Sequence, residues 1–247
     1  MTQLALRFAP GSAGRTILAE RRARYPYGIT APIAQPGGTA RLTLQSISGG
    51  LYGGENVAQH IHACAGASAL LLQPAATTVR RRAATGPARQ SIRLEAGENA
   101  RLIYATRPLI MLPGAVLAQE WEIILAQGAQ VMFWDGFVSH SPKASPPDWS
   151  LTSRVAVRGP DGKLLAAERM AVSGAALGDG FQGLAGSFSA FGKLWCLGPR
   201  RIEKIPPQGN SAGITTLPHQ AGFTIALAAP DGGALCAAME QIHGIRL

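Results

Sequence analysis

Three side chains that bind metal ions in many proteins alternate within one short stretch of the sequence. His60, His62 and Cys64 are each separated by a single apolar residue, and on a β-strand alternate residues share one face at spacings of roughly 6.5 to 7 Å. Imidazole and thiolate are ligands for zinc, nickel and copper. One ion could join neighbours in this series, but it could touch all three only if the strand bends. The competing interpretation is a half-exposed strand face on which Cys64 acts as a small apolar residue.

A glycine-rich turn comes just before these residues. It contains Gly49, Gly50, Gly53 and Gly54 and is followed by Glu55. The turn lacks the lysine of a nucleotide-binding loop, and the residues after it alternate as a strand instead of opening a helix. We therefore expect a bend at which the backbone takes positive φ or approaches another segment closely. Glu55 is a further candidate metal ligand, with an ordinary exposed loop acid as the alternative.

Sequence patterns of known catalytic sites are missing. There is no G-x-S-x-G motif, and Asp135 and Asp148 have no second acid at a recognisable spacing. Nothing specific supports general acid and base chemistry. We expect a protein that is not an enzyme and that holds no tightly bound cofactor.

Charge points towards acidic partners. The 247 residues carry a formal charge of +9, and the densest basic cluster is Arg80, Arg81, Arg82 and Arg89. Such a charge attracts polyanions and acidic protein surfaces. Aromatic residues make up only 6% of the sequence, and no basic stretch is interleaved with them, which argues against nucleic acid. The cluster is either a docking surface for an acidic partner or a set of solvated loop residues.

The cysteines and the apolar runs indicate a cytoplasmic location. Cys64, Cys196 and Cys236 are far apart in sequence and cannot all pair within one chain, which is not the pattern of a disulfide-stapled secreted domain. The first residues lack the apolar region of a signal peptide, and no apolar run is long enough to span a bilayer.

Alternating and β-branched segments dominate the middle of the chain. Examples are RLTLQSI, SIRLEA, ARLIYA, EWEIILA and SRVAVR, each bounded by glycine or proline, and this pattern predicts a mostly β protein. Gly66, Gly97, Gly128 and Gly159 recur every 31 residues between such segments. A fixed period of this size is typical of stacked repeats. We predict β-helix-like layers over residues 41–172, each contributing about one hairpin.

The pattern changes after residue 173. Small residues and glycine precede a proline-bearing stretch, and the segments 181–195 and 231–243 have weak and stronger helical character, respectively. We expect two helices near the C-terminus. The prediction is one domain over residues 1–247, with residues 173–247 as a cap on the stack.

Three segments together resemble the UreD family of urease accessory proteins, also called UreH. They are SGGLYGGEN, AGASALLLQPAATTVRR and ARLIYATRPLIMLPGAVLAQEWEIILAQGAQVMFWD. The resemblance holds in order and spacing over residues 20–172 and more loosely to the end. It implies a stacked β fold and a maturation factor that binds apo-urease and joins the UreF and UreG accessory proteins, so that nickel reaches the urease active site. UreG supplies the GTPase.

The resemblance assigns roles by position. The four turn glycines match the family turn, and Glu55 stands where the family usually has Asp. Arg80 and Arg81 lie in the family's basic segment, and Arg107 replaces a common Glu or Gln before the proline. Asp135 is the only acid that matches the family's second acidic motif.

Three functional hypotheses are considered. In the first, nickel passes this chain in transit, near His60, His62, Cys64 and Glu55, and partners bind at Arg80, Arg81, Arg82 and Arg107. The alternatives are a paralogue that serves another metalloenzyme and a stand-alone metal-binding β protein.

Overall fold

The computed structural model describes residues 1–81, 86–140, 148–178, 186–199 and 211–243. The strands are β1 (Leu4–Pro10), β2 (Thr16–Ala23), β3 (Tyr27–Ile29), β4 (Ile33–Ala34), β5 (Ala40–Ser46), β6 (Leu51–Tyr52), β7 (Asn56–Ala63), β8 (Ser68–Gln73), β9 (Thr78–Arg80), β10 (Ala88–Ala96), β11 (Arg101–Thr106), β12 (Leu109–Met111), β13 (Val116–Leu125), β14 (Gln130–Ser139), β15 (Ser150–Arg158), β16 (Leu164–Ser173), β17 (Ala190–Leu197), β18 (Ser211–Thr216) and β19 (Gly222–Ala229). The helices are α1 (Gly174–Gly178) and α2 (Gly232–His243), with short 3₁₀ turns at Ser12–Gly14, Pro36–Gly38 and Pro218–Gln220.

The strands form two sheets. The seven-stranded sheet has the order β16-β15-β13-β10-β7-β1-β2, and the main path of the twelve-stranded sheet is β18-β19-β17-β14-β11-β8-β5-β3. Parallel ladders join β7, β10, β13 and β15 in the first sheet and β5, β8, β11 and β14 in the second. The chain therefore winds as a β-solenoid of about three turns, which confirms the predicted mostly β, stacked fold.

Each layer differs from a hairpin in its hydrogen bonding. β7 pairs with β1 and β10, whereas β8, which follows it after a tight turn, pairs with β5 and β11. The two arms of a layer thus lie in different sheets and bond to neighbouring layers instead of to each other. The prediction of one hairpin per layer was wrong on this point, because alternation alone does not show which strand is the partner.

The spacing between layers is also less regular than the glycines indicate. Ala63, Ala96 and Leu125 are Cα partners, which places successive layers 33 and 29 residues apart. Asn99, with φ of +56°, occupies the left-handed turn position equivalent to Gly128, with φ of +69°. Asn tolerates this conformation better than other residues with a side chain. The structural repeat therefore passes through Asn99, and not through Gly97.

Alternating residues of the two sheets fill the interior. Along β10, residues with inward side chains are buried and those between them are partly or fully exposed. An aromatic stack crosses the core, with ring centroids 6.1 Å apart for Tyr104 and Trp121, 4.7 Å for Trp121 and Phe133, and 5.6 Å for Phe133 and Trp195. Burial of each such side chain contributes about 1.5–3 kcal/mol, so the two sheets are held together firmly.

The C-terminal region contains one correction. Residues 190–197, predicted as part of a helix, form β17, while residues 181–185 lie outside the described ranges. β17 pairs with β14 on one side and β19 on the other. Its last four residues, 194–197, are all buried, and such a run does not distinguish a buried strand from a helix. The second predicted helix is confirmed as α2.

β17, β18 and β19 extend the twelve-stranded sheet, and α2 packs on β17 and β19. The division into a stack and a cap stays a prediction. Among the described residues, no helix combines the length and apolar character needed to cross a membrane.

Candidate functional site

Polar side chains replace apolar ones at one inward position of three successive strands. Gln90, Gln119 and Ser153 are Cα partners along β10, β13 and β15, and their exposed fractions are 9%, 4% and 2%. The side-chain amides of Gln90 and Gln119 lie 3.3 Å apart. Burial of a polar group costs free energy unless the group is hydrogen-bonded. We therefore expect each side chain of this row to have a hydrogen-bond partner within the fold.

Asp135 on β14 faces the row from the opposite sheet. Its Oδ2 accepts a hydrogen bond from Ser153 Oγ at 2.7 Å. We assign the amide of Gln119 the orientation in which its nitrogen donates to Asp135 Oδ1 at 3.0 Å and its oxygen accepts from Trp121 Nε1 at 3.2 Å. Each oxygen of the carboxylate therefore receives a donor.

Lys193 and Glu168 are the partly exposed neighbours of Asp135. Asp135 and Lys193 are Cα partners across β14 and β17, and Lys193 Nζ donates to Glu168 Oε2. The Lys193 and Glu168 side chains are 27% and 35% exposed. The pKa of Asp135 is raised to about 6, chiefly by burial and also by Glu168, against the opposing effects of Ser153 and Lys193. This carboxyl can therefore take up and release a proton near pH 6.

A second set of hydrogen bonds meets at the Tyr104 hydroxyl. Its oxygen lies 2.8 Å from Gln59 Oε1 and 3.0 Å from Gln73 Oε1, and its single proton can go to only one of them at a time. Gln59 Nε2 donates to Tyr27 Oη at 2.9 Å, and Gln73 Nε2 donates to Thr77 Oγ1 at 3.0 Å. Burial raises the pKa of Tyr104 far above its ordinary value, so the hydroxyl stays neutral.

The two sets come together at Gln90, which is hydrogen-bonded to Tyr27 and whose side-chain amide lies 3.3 Å from that of Gln119; with the orientation assigned to Gln119, this last contact is between two oxygens. We call these neighbouring groups the polar chain: Tyr27, Gln59, Gln73, Thr77, Gln90, Tyr104, Gln119, Asp135 and Ser153. A cavity of 20 Å³ lies among them, bordered by Gln73, Tyr104 and Asp135. That volume is enough for one water molecule. The polar chain thus runs through the solenoid interior and reaches the surface beside Lys193 and Glu168.

The oxygen atoms of the polar chain are hard metal ligands. Amide, hydroxyl and carboxylate oxygens bind divalent cations, and a few neutral oxygens hold them less tightly than a cluster of anionic ligands does. Within the described ranges, no three His, Cys, Asp or Glu side chains are close enough together to hold a metal ion. The arrangement is suited to contact with an ion in passage more than to tight binding.

The predicted metal ligands lie elsewhere. His60 and His62 point outward from β7, and Nε2 of His60 is 3.4 Å from Glu95 Oε1. Cys64 Sγ accepts a long contact from Arg7 Nη1 at 3.9 Å. Burial raises the pKa of Glu95, but Arg93 and the two histidines outweigh it and leave that pKa below its ordinary value. These groups form part of a charged outer face, and in the described part of the chain His60, His62 and Cys64 do not converge on one point.

Glu55 has a local structural contact. Its Oε2 accepts a hydrogen bond from the backbone N–H of Tyr52 at 3.0 Å. Glu55 lies just before β7, and His60 is five residues further along the chain, roughly 16 Å away if the segment is extended. The structure therefore does not bring Glu55 and the histidines together.

The glycine turn packs against β9. Gly49 O accepts hydrogen bonds from Thr78 Oγ1 at 2.7 Å and from Arg80 Nε at 3.3 Å. Gly50 has φ of +136°, and a Cβ there would lie 2.2 Å from Thr78 O. Gly53 N donates to Arg80 O at 3.1 Å. Gly54, which also has positive φ, donates to Pro87 O at 3.3 Å.

The candidate partner-binding arginines also make internal contacts. Arg80 is bonded to the glycine turn, and the Arg81 side chain lies against Gly114. Arg107 Nη2 is 2.9 Å from Glu240 Oε1 and ties α2 to the segment before β12. Arg82 lies outside the described residues.

Comparison with known proteins assigns the family. The family model described as UreD urease accessory protein matches residues 1–246. The chain belongs to this family. This confirms the resemblance carried by the glycine turn and the segments that follow it.

Individual relatives agree along nearly the whole chain. It is 33% identical to urease accessory protein UreD 1 of Methylorubrum populi, over 98% of this chain and 86% of that protein. It is 32% identical to UreD 1 of a Bradyrhizobium species, over 93% of this chain and 84% of that protein. For UreD 1 of Pseudomonas syringae the identity is 30%, over 92% and 85%.

Most residues of the polar chain in this UreD-family sequence belong to no recognisable motif. Its signal is a glutamine or serine at an inward position of a strand that is otherwise apolar, as with Gln59 between Val57 and Ile61. Gln119 between Leu117 and Trp121 is the same case on β13. Such residues stand out only when the inward positions of successive strands are compared.

Proposed function

We propose that this chain is a non-enzymatic scaffold or metallochaperone that helps deliver nickel to apo-urease. It acts in the cytoplasm together with UreF-like and UreG-like accessory proteins. The observation that carries the proposal is the family match over residues 1–246. Relatives that share about a third of its residues are named urease accessory proteins.

The polar chain supports the nickel part of this proposal. It supplies oxygen ligands through an otherwise apolar interior, and it ends at Asp135, the single acid at the family's second acidic motif. Nickel is cargo in this scheme and not a resident cofactor. An ion that must leave again needs contacts that are weak and numerous, and neutral amides and hydroxyls meet this condition.

Co-elution tests the partnership. We expect the chain, co-expressed with UreF-like and UreG-like proteins from the same source, to elute with them as one complex on a sizing column at micromolar concentration. The Gly213→Ala variant, altered on the exposed strand β18 where a Cβ meets nothing within 4 Å, is the matched control for handling and expression. Separate elution of the three proteins under the same conditions contradicts the proposal.

A further inference from the structure

The outward side of the seven-stranded sheet is rich in arginine. Strand register places seven arginines and four glutamates on this side, a net charge of +3 with neutral histidines. Of the two helices, α1 packs on β16 at the sheet edge and α2 packs on the other sheet. We call this side the arginine face.

Each glutamate on the arginine face already has an arginine partner. Arg7 Nε is 2.7 Å from Glu20 Oε1, and Arg93 Nη1 is 2.5 Å from Glu122 Oε2. Arg93 also bonds Glu95, and Arg154 is 4.0 Å from Glu120, as given by their closest charged atoms. Three arginines thus pair with four glutamates, since Arg93 contacts two of them, and the paired groups together carry a charge of −1.

Four arginines remain. Arg158 donates to the carbonyl oxygen of Gly162 at 3.1 Å. Arg22, Arg89 and Arg169 are exposed, and they make no ion pair with an acid in the described part of the chain. Arg22, Arg89 and Arg169 therefore supply the positive charge that can interact with another molecule.

The arginine face has the size of one side of a protein interface. Seven strands at a spacing of about 4.8 Å span roughly 29 Å, and strands of this length extend about 25–30 Å. The area of the arginine face, width multiplied by strand length, is therefore near the ~800 Å² that each partner contributes to a standard interface. A depression of 540 Å³ lies within it, bordered by Ala58, Ser91 and Ala156. Small side chains there leave room for a projecting group of a partner.

We propose that the arginine face is the docking surface for the acidic face of a folded protein partner. The occupant follows from charge complementarity, because the face has a net charge of +3 and holds unpaired arginines, while each of its acids already contacts an arginine. Arginine is enriched at protein interfaces and binds carboxylates through two parallel hydrogen bonds. Phosphate backbones fit less well, since four glutamates lie between the arginines and the register places no Phe, Tyr or Trp on the face for base stacking.

The identity of the partner rests on the proposed function, so the probes are recombinant apo-urease and the UreF-like and UreG-like proteins, each measured separately. The test variant is Arg22→Glu, Arg89→Glu, Arg169→Glu. The matched control is Arg15→Glu, Arg41→Glu, Arg101→Glu, which changes the net charge equally away from the face. Thermal unfolding by circular dichroism verifies that both variants are folded.

We expect the face variant to bind at least one of these partners roughly tenfold more slowly at about 0.1 M salt, because opposed charges steer association. The control variant should keep the wild-type rate within about twofold, since charges farther than about 10 Å from the interface are largely screened at that ionic strength. Equal binding by wild type and face variant overturns this inference alone. Failure of the wild type to bind any of the three overturns the proposed function and this inference with it. RNA binding that the face variant loses, with partner binding unchanged, assigns the face to nucleic acid and also overturns the inference.

Discussion

Replacing Gly50 with alanine is expected to lower the free energy of unfolding by about 3 kcal/mol. The φ of Gly50 is +136°, and an added Cβ would lie 2.2 Å from Thr78 O and 2.3 Å from Thr78 Oγ1. The contact is with backbone and cannot be relieved by rotating a side chain. The turn would have to move away from β9, which breaks the hydrogen bond from Thr78 Oγ1 to Gly49 O. Urea denaturation monitored by tryptophan fluorescence measures the change.

Gly213→Ala is the matched control for this substitution. Gly213 lies on the exposed strand β18, and a Cβ there would meet nothing within 4 Å. We expect its stability to stay within about 0.5 kcal/mol of wild type. Equal stabilities for the Gly50 and Gly213 variants would show that the close approach to β9 does not constrain the turn.

The second large effect is a pH dependence of stability that Asp135 causes. Because its pKa is raised to about 6 in the folded chain, the folded state binds a proton between pH 4 and 6 that the unfolded state has released. Stability therefore falls as pH rises through this range, by at most about 2 to 3 kcal/mol from this group because the hydrogen bond from Gln119 favours the ionised carboxyl, and is constant above it. Asp135→Asn should remove this part of the loss. The measurement is the free energy of unfolding at pH 4 and pH 7 for both proteins.

Asp161→Asn serves as the control for that comparison. Asp161 is an exposed carboxylate in the turn after β15, outside the polar chain, and its variant should keep the wild-type dependence on pH. A wild type and an Asp135→Asn variant whose stabilities change in parallel between pH 4 and 7 would contradict the assigned environment of Asp135.

Local pattern predicted the class of fold because each strand carries its own alternation. The stacking was also predictable, since turns recur at nearly constant spacing. The exact period was not, because Asn99 takes a left-handed position that glycine holds in the equivalent turn. The helix prediction for β17 was wrong because its burial depends on pairing with β14 and β19. The sequence of the segment alone does not show these contacts.

The candidate site was only partly predictable for the same reason. The residue types and spacing of His60 and His62 predict metal ligands, yet these side chains lie on an outer face next to Glu95. Gln90 and Gln119 carry no motif, and they meet only because β10 and β13 pair in register. Asp135 was found through the family resemblance, but its partners come from three other strands. A site formed by residues of several layers can be predicted only when the strand register is known. That register depends on how the whole stack packs.

The most direct test of the central claim is the nickel content of urease made in cells with and without this chain. Cells that express urease and the UreF-like and UreG-like proteins receive wild type, Gln119→Leu or Gln45→Leu. Gln119→Leu interrupts the polar chain with an apolar side chain of similar size, and Gln45 is exposed on β5. Metal analysis of the purified urease should give full nickel content with wild type and Gln45→Leu, and the same low content with Gln119→Leu as without the chain. Full nickel content in urease from cells that lack the chain would contradict the account.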